Sequence, residues 1–181
     1  MVQHPDIIRT YGYVKNGDSY YLVTQYTESV NLEQLINDPR VPWSWEMFIT
    51  IALNVANAMR CLHFHHLAHL DLDATSVLVT FPRGSYSPFD GSQGPLNIHA
   101  VLCSFGMTLT QYDWINKQVF AALKLPEPSP INEKRYAYDV GNFGLLLQRM
   151  LTRRYDWGGL SDLQKRIKFV AGDRPPLPGI C

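Results

Sequence analysis

From Trp43 to about His65 the apolar residues Phe48, Ile51, Ala52, Val55, Met59 and Leu62 recur at helical spacing, which marks a long amphipathic helix. A helix of that length must bury its stripe against other elements, and the flanking sequence supplies strands for it. Upstream, residues 7–14 and 20–26 are rich in Ile, Tyr and Val, and Lys15-Asn16-Gly17-Asp18 between them carries an Asn-Gly turn. These two stretches predict a β-hairpin. Downstream, Ser76–Phe81 and Leu96–Cys103 read as two further strands, separated by Pro82–Pro95, a stretch crowded with Pro, Gly and Ser that reads as a loop insertion. Asp139–Leu151 carries Val140, Phe143, Gly144, Leu147 and Leu151 on one stripe and predicts a buried helix. Ser161-Asp162-Leu163-Gln164 has the pattern of a capping box opening one more helix, with Leu163, Ile167 and Val170 inward and Gly172 at its end. Strands, helix, strands, then helices is the order of an α+β fold.

Sixteen basic and sixteen acidic residues leave no net charge, so neither a nucleic acid nor an anionic membrane is expected as a partner. Nowhere do eighteen apolar residues run consecutively, and Met1-Val2-Gln3-His4-Pro5-Asp6 lacks the basic and apolar regions of a signal peptide. Cys61, Cys103 and Cys181 lie far apart, which fits a reducing, cytoplasmic setting. Cys61, His63, His65, His66 and His69 are rich in metal-ligand types, but only His65 and His69 have i,i+4 spacing and the chain leaves the helix between them. No metal site is therefore expected there.

His69-Leu70-Asp71-Leu72-Asp73-Ala74-Thr75-Ser76 sits between the long helix and a strand, and it resembles the protein-kinase catalytic loop, H-R-D-L-x-x-x-N. Other segments fall into the same register. His4-Pro5-Asp6-Ile7-Ile8 looks like the start of the fourth kinase strand. Leu22-Val23-Thr24-Gln25-Tyr26 looks like the fifth strand running into the hinge, with Thr24 at the gatekeeper position, and Asn31-Leu32 opens the next short helix. Ser104-Phe105-Gly106 stands where kinases carry D-F-G, Leu125-Pro126-Glu127 matches A-P-E, and Asp139-Val140 through Phe143-Gly144 matches D-V-x-x-F-G. Gly172–Pro178 is similar to the G-x-R-P-x-x-P segment of tyrosine-kinase-like and tyrosine kinases.

The resemblance implies an incomplete small lobe over residues 1–26, holding strands four and five, and a mainly helical large lobe over 27–181 without its last helices. It places Thr24, Gln25, Tyr26, Thr27 and Leu78 at the nucleotide cleft and Asp71 at the position of the catalytic base. The two magnesium-binding positions hold Ser76 and Ser104, and neutral hydroxyls cannot replace the anionic oxygens that magnesium takes. Asp73 stands where such kinases carry a cation facing the transferred phosphate. Two like charges about 5 Å apart at an effective dielectric of about 20 repel by roughly 3 kcal/mol. Leu70 replaces the arginine that grips a phosphorylated activation loop, and no G-x-G-x-x-G or V-A-I-K is present. The expectation is a pseudokinase: Asp71 a vestigial base, ATP and magnesium lost or held very weakly. It would act as a scaffold or allosteric module through a protein partner or self-association at the 7–26 hairpin. The alternative is a kinase of weak phosphotransfer.

Overall fold

The computed structural model describes residues 2–81, 97–105, 109–110, 133–153, 160, 164, 167–168 and 171–173. The expected insertion at 82–95, Gly106, the 125–127 motif, the capping box at 161–163 and the Arg174–Pro178 run lie outside the described residues.

The hairpin forms with β1 (Thr10–Asn16) antiparallel to β2 (Ser19–Thr24). Asn16 pairs with Ser19, so the turn is Gly17-Asp18 and not the four residues expected. Gly17 sits at φ 59, a left-handed conformation that a residue without Cβ reaches at no steric cost. Residues 7 and 8, expected in the hairpin, leave it altogether. The Ile8 N–H donates to the Leu102 carbonyl and the Leu102 N–H to the Asp6 carbonyl, each at 2.8 Å. Ile7 is buried as a result. This short segment lies parallel beside β6 (His99–Leu102), the outer strand of a sheet ordered β3-β5-β6.

In that sheet β5 (Val77–Thr80) pairs antiparallel with β3 (Ser29–Asn31) on one side and β6 on the other. The expected strand at Ser76–Phe81 is shortened because Ala74–Ser76 closes a single 3₁₀ turn. Val77 and Val79 point into the core while Leu78 and Thr80 face the opposite side, the period-2 alternation of a half-buried strand. Asn31 caps α1 (Leu32–Asn37): its Oδ1 accepts the Glu33 N–H at 2.8 Å, and Gln34 Oε1 accepts the Asn31 N–H at 3.3 Å.

The long helix is α2 (Trp45–Phe64), opened by Ser44, whose Oγ accepts the Met47 N–H at 3.1 Å. Ile51, Val55 and Leu62 are essentially without exposed surface, and the helix packs on β6. By length and composition alone α2 could cross a membrane, with a mean hydropathy of 1.3; here its apolar stripe is the centre of the core. Leu67–Ala68 (β4) pairs with Leu109–Thr110 (β7).

The next long helix, α3 (Glu133–Thr152), begins six residues before the expected Asp139. Its inner face keeps Phe143 and Leu147 of the expected stripe, partly buried against the core, and differs in the rest. Val140 and Leu151 are 62% and 50% exposed, and Asp139, Leu146 and Met150 are buried in their place. The positions 139, 146 and 150 recur at helical spacing, so the packed face is the one that carries the carboxylate. Arg149 in its last turn and Arg153 just beyond its end clasp α1. Arg149 Nη2 donates to Glu33 Oε1 at 2.6 Å, and Arg153 Nη2 donates to the Asp38 carbonyl at 2.6 Å. With Ile51 wholly buried, Ile51→Ala should cost about 2–5 kcal/mol. Leu53→Ala on the exposed face of the same helix should stay within about 0.5 kcal/mol, both read as urea unfolding midpoints.

Candidate active site

The loop at 69–76 is anchored by one carboxylate. Asp139 has no exposed surface. Its Oδ2 accepts the His69 N–H and the His63 Nε2–H, both at 2.9 Å, and its Oδ1 accepts the Leu70 N–H at 2.8 Å. These bonds fix the loop backbone to α3 and to the last turn of α2. They also hold Leu70 in the left-handed region, at φ 64, which a non-glycine residue enters only when its surroundings compel it. The Leu70 side chain is buried with Ala68 against Tyr136 and Tyr138, so an apolar contact occupies the position expected of a phosphate-gripping arginine.

His69 bridges the two segments expected at a phosphotransfer site. Its Nε2–H donates to the Cys103 carbonyl at 2.9 Å, and its Nδ1 accepts the Asp71 N–H at 3.3 Å. One nitrogen donates and the other accepts, so the ring is neutral. Burial lowers its pKa below the usual histidine value, consistent with that tautomer. The ring meets Phe105 edge-on at 5.2 Å. Cys103 in turn donates its N–H to the Ser76 carbonyl at 2.8 Å, and burial pushes its thiol pKa up. Asp71, Ser76 and Ser104 are thereby brought to one region around His69 and Cys103. Asp71 is half-buried and Ser104 is exposed, at φ 64.

Ser76 and Asp73 are engaged with each other. The Ser76 hydroxyl donates to the Asp73 carbonyl at 2.7 Å and accepts the Asp73 N–H at 3.0 Å. The Asp73 carboxylate accepts the Thr75 N–H at 3.0 Å and caps the 3₁₀ turn. Ser76 is 1% exposed. A neutral, buried hydroxyl already bonded as donor and acceptor does not fit magnesium, which takes hard and preferably anionic oxygens. Among the described residues no group of three or more His, Cys, Asp or Glu side chains could hold a metal ion. His63 and His69 turn to Asp139 and Cys103, and the Cys61 thiol lies 3.8 Å from His65 Nδ1.

Of the nucleotide-cleft positions expected from sequence, Gln25 and Thr27 line one cavity, and Thr24, Tyr26 and Leu78 are not among its described lining residues. Thr24 ends β2, and Gln25 and Tyr26 follow it exposed, Tyr26 at 88%. Thr27 is half-buried, with its Oγ1 3.2 Å from Ser29 Oγ. Leu78, half-buried, pairs with the buried Val101.

Sequence reasoning missed the roles of His63 and Asp139. Asp139 was legible as a motif position, but its task as the receiver of three N–H groups was not. The available signal was a lone carboxylate on the apolar stripe of a helix, which is rarely buried unless fully hydrogen-bonded. Asp139→Ala would strand two buried backbone N–H groups at about 1–3 kcal/mol each. It should lower stability by about 2–6 kcal/mol in chemical denaturation, with Asp139→Asn intermediate.

Comparison with known proteins gives this arrangement its family. A probable LIM domain-containing serine/threonine-protein kinase of Dictyostelium discoideum is 26% identical over 98% of the chain and 17% of its own length. The human dual specificity testis-specific protein kinase 2 is 25% identical over 84% of the chain and 25% of its own length. The crystal structure of the Rad53 kinase domain and SCD2 superposes with a TM-score of 0.62 at 18% identity, over 94% of this chain and 54% of that one. The chain thus spans a quarter or less of these two relatives and about half of the solved structure. The profile described as protein tyrosine and serine/threonine kinase runs through residues 1–174, and this chain belongs to that family.

Proposed function

We propose that this kinase-family domain is impaired in phosphotransfer and acts through protein contacts, as a scaffold or an allosteric partner. The observation that carries the reading is the state of Ser76: its hydroxyl is consumed by Asp73 inside the loop, and a second serine, Ser104, stands at the other metal position. Asp73 adds a negative charge to the same loop, where a transferring phosphate would need a positive one. The reading carries weak or absent ATP and magnesium binding with it, and a cytoplasmic setting in keeping with the free thiols of Cys61 and Cys103.

A second reading is a kinase of low activity. It is favoured by Asp71, whose backbone is held in place by His69, and by relatives named as kinases. Thermal unfolding with and without nucleotide separates the two. Under the first reading millimolar Mg-ATP leaves the melting temperature unchanged; a ligand at 100 times its Kd would stabilise by about 2.7 kcal/mol, which is readily seen. A clear magnesium-dependent rise would favour the second reading and overturn the first.

The surface proposed for protein contact is the hairpin. Tyr13 and Leu22 face each other across it at 71% and 58% exposure, with Tyr11, Val14 and Tyr21 also exposed. Ile7, expected in this patch, is buried against β6 and takes no part. A two-stranded ribbon is marginal alone and leaves backbone groups unpaired at its edges. We expect the chain to self-associate there, and Leu22→Glu to shift it towards monomer in light scattering while the circular dichroism of the helices is unchanged. A parent chain that stays monomeric at high concentration would count against self-association through the hairpin.

A further inference from the structure

A cavity of about 570 Å³ opens between the N-terminal segment, the stretch after β2 and the outer ends of β5 and β6. Its size lies within the range of small-molecule sites, roughly 300–1,000 Å³. Apolar side chains of Ile7 and Val101 form part of the lining, both under 9% exposed. Arg9, His4, Gln25 and Thr27 contribute the polar part. Asp71, Ser76, Leu78 and Ser104 are not among its described lining residues, so the cavity is distinct from the phosphotransfer loop, although Gln25 and Thr27 also belong to the expected cleft.

The charge of this lining is one-sided. Among its described residues there is an arginine and two histidines but no carboxylate. The nearest acid in sequence, Asp6, is buried and bonded to one of these two histidines. Its Oδ1 accepts the His99 Nε2–H at 2.7 Å and the Asn54 Nδ2–H at 3.3 Å. The Asn54 Oδ1 accepts the Ala100 N–H at 3.0 Å, which ties this carboxylate into α2 and β6. The Asp6 N–H donates to His4 Nδ1 at 3.2 Å. That nitrogen therefore carries no proton and is not an ion-pair donor to the carboxylate oxygen 3.8 Å away. The His4 proton resides on Nε2, which is a hydrogen-bond donor.

Arg9 is exposed and lines this cavity. Its guanidinium lies over the Tyr11 ring, 5.5 Å from the centroid, and its carbonyl accepts the Gln25 N–H at 2.7 Å, which fixes the backbone at the mouth. An arginine and an imidazole N–H donor lining a cavity that also has apolar walls suit a planar anion with two oxygens. The geometry points to a second small-molecule site here, one that takes a carboxylate carried on a compact apolar body.

Benzoate is the probe, benzamide its neutral counterpart, each titrated into the ¹⁵N-labelled chain. Benzoate should shift the backbone amides of Ile7, Thr27 and Val101. Benzamide should bind about tenfold more weakly or worse, since a charge-assisted hydrogen bond is worth that much or more. Arg9→Gln, an exposed position whose backbone bond is retained, should weaken benzoate by a similar factor and leave benzamide unchanged. Equal affinity for the two probes, benzoate binding indifferent to Arg9→Gln, or shifts confined to other residues would overturn the proposal. So would displacement of benzoate by equimolar adenosine, which would assign the cavity to the nucleotide cleft.

Discussion

Asp139 is a carboxylate with no contact with water, and it survives burial because its hydrogen bonds are supplied by the loop it organises and by His63 of α2. An isolated buried charge would cost far more than a domain of this size could tolerate. The relation is reciprocal. The N–H groups of His69 and Leu70 lie in a segment with neither helix nor ladder, and without the carboxylate they too would be buried and unsatisfied. One residue of α3 therefore sets the path of the chain from β4 into β5, and the left-handed Leu70 is the local consequence.

The order imposed by Asp139 is relayed by His69. Its neutral ring takes an N–H from Asp71 on one side and gives one to Cys103 on the other, and Phe105 packs against its edge. Cys103 closes the circuit by donating to Ser76. The path of this loop is thus held by hydrogen bonds within the chain, and the Ser76 hydroxyl is part of that structure. Shape and chemistry are separable under the proposed reading, in which the scaffold persists while neutral serines stand at the two positions proposed for magnesium.

The other end of the chain is built differently. Residues 6–8 are stitched to β6 and buried, whereas the hairpin that follows them leaves most of its apolar side chains exposed. Asp6, His99 and Asn54 form the joint between the two regimes. The proposed contact surface lies on the exposed side of that joint, and the proposed carboxylate site lies at the joint itself.

What the sequence determined by itself was local. The 3.6-residue period of α2, the strand at Ser76–Phe81, the start of α1 at Asn31-Leu32 and the ordered kinase-like motifs could all be read directly, because each rests on neighbours within a few positions. The family followed from the order of those motifs. The tertiary structure decided what depends on distant partners. Val140 and Leu151 fell outside the packed face because the burial of Asp139 fixed the rotation of α3, and that was set by His63, His69 and Leu70, some seventy positions away. Ile7 left the hairpin because Leu102 offered it a ladder, and Ser76 became a structural hydroxyl because the 3₁₀ turn brought it back onto Asp73. Periodicity specifies which residues share a face; only the assembled chain specifies what that face meets.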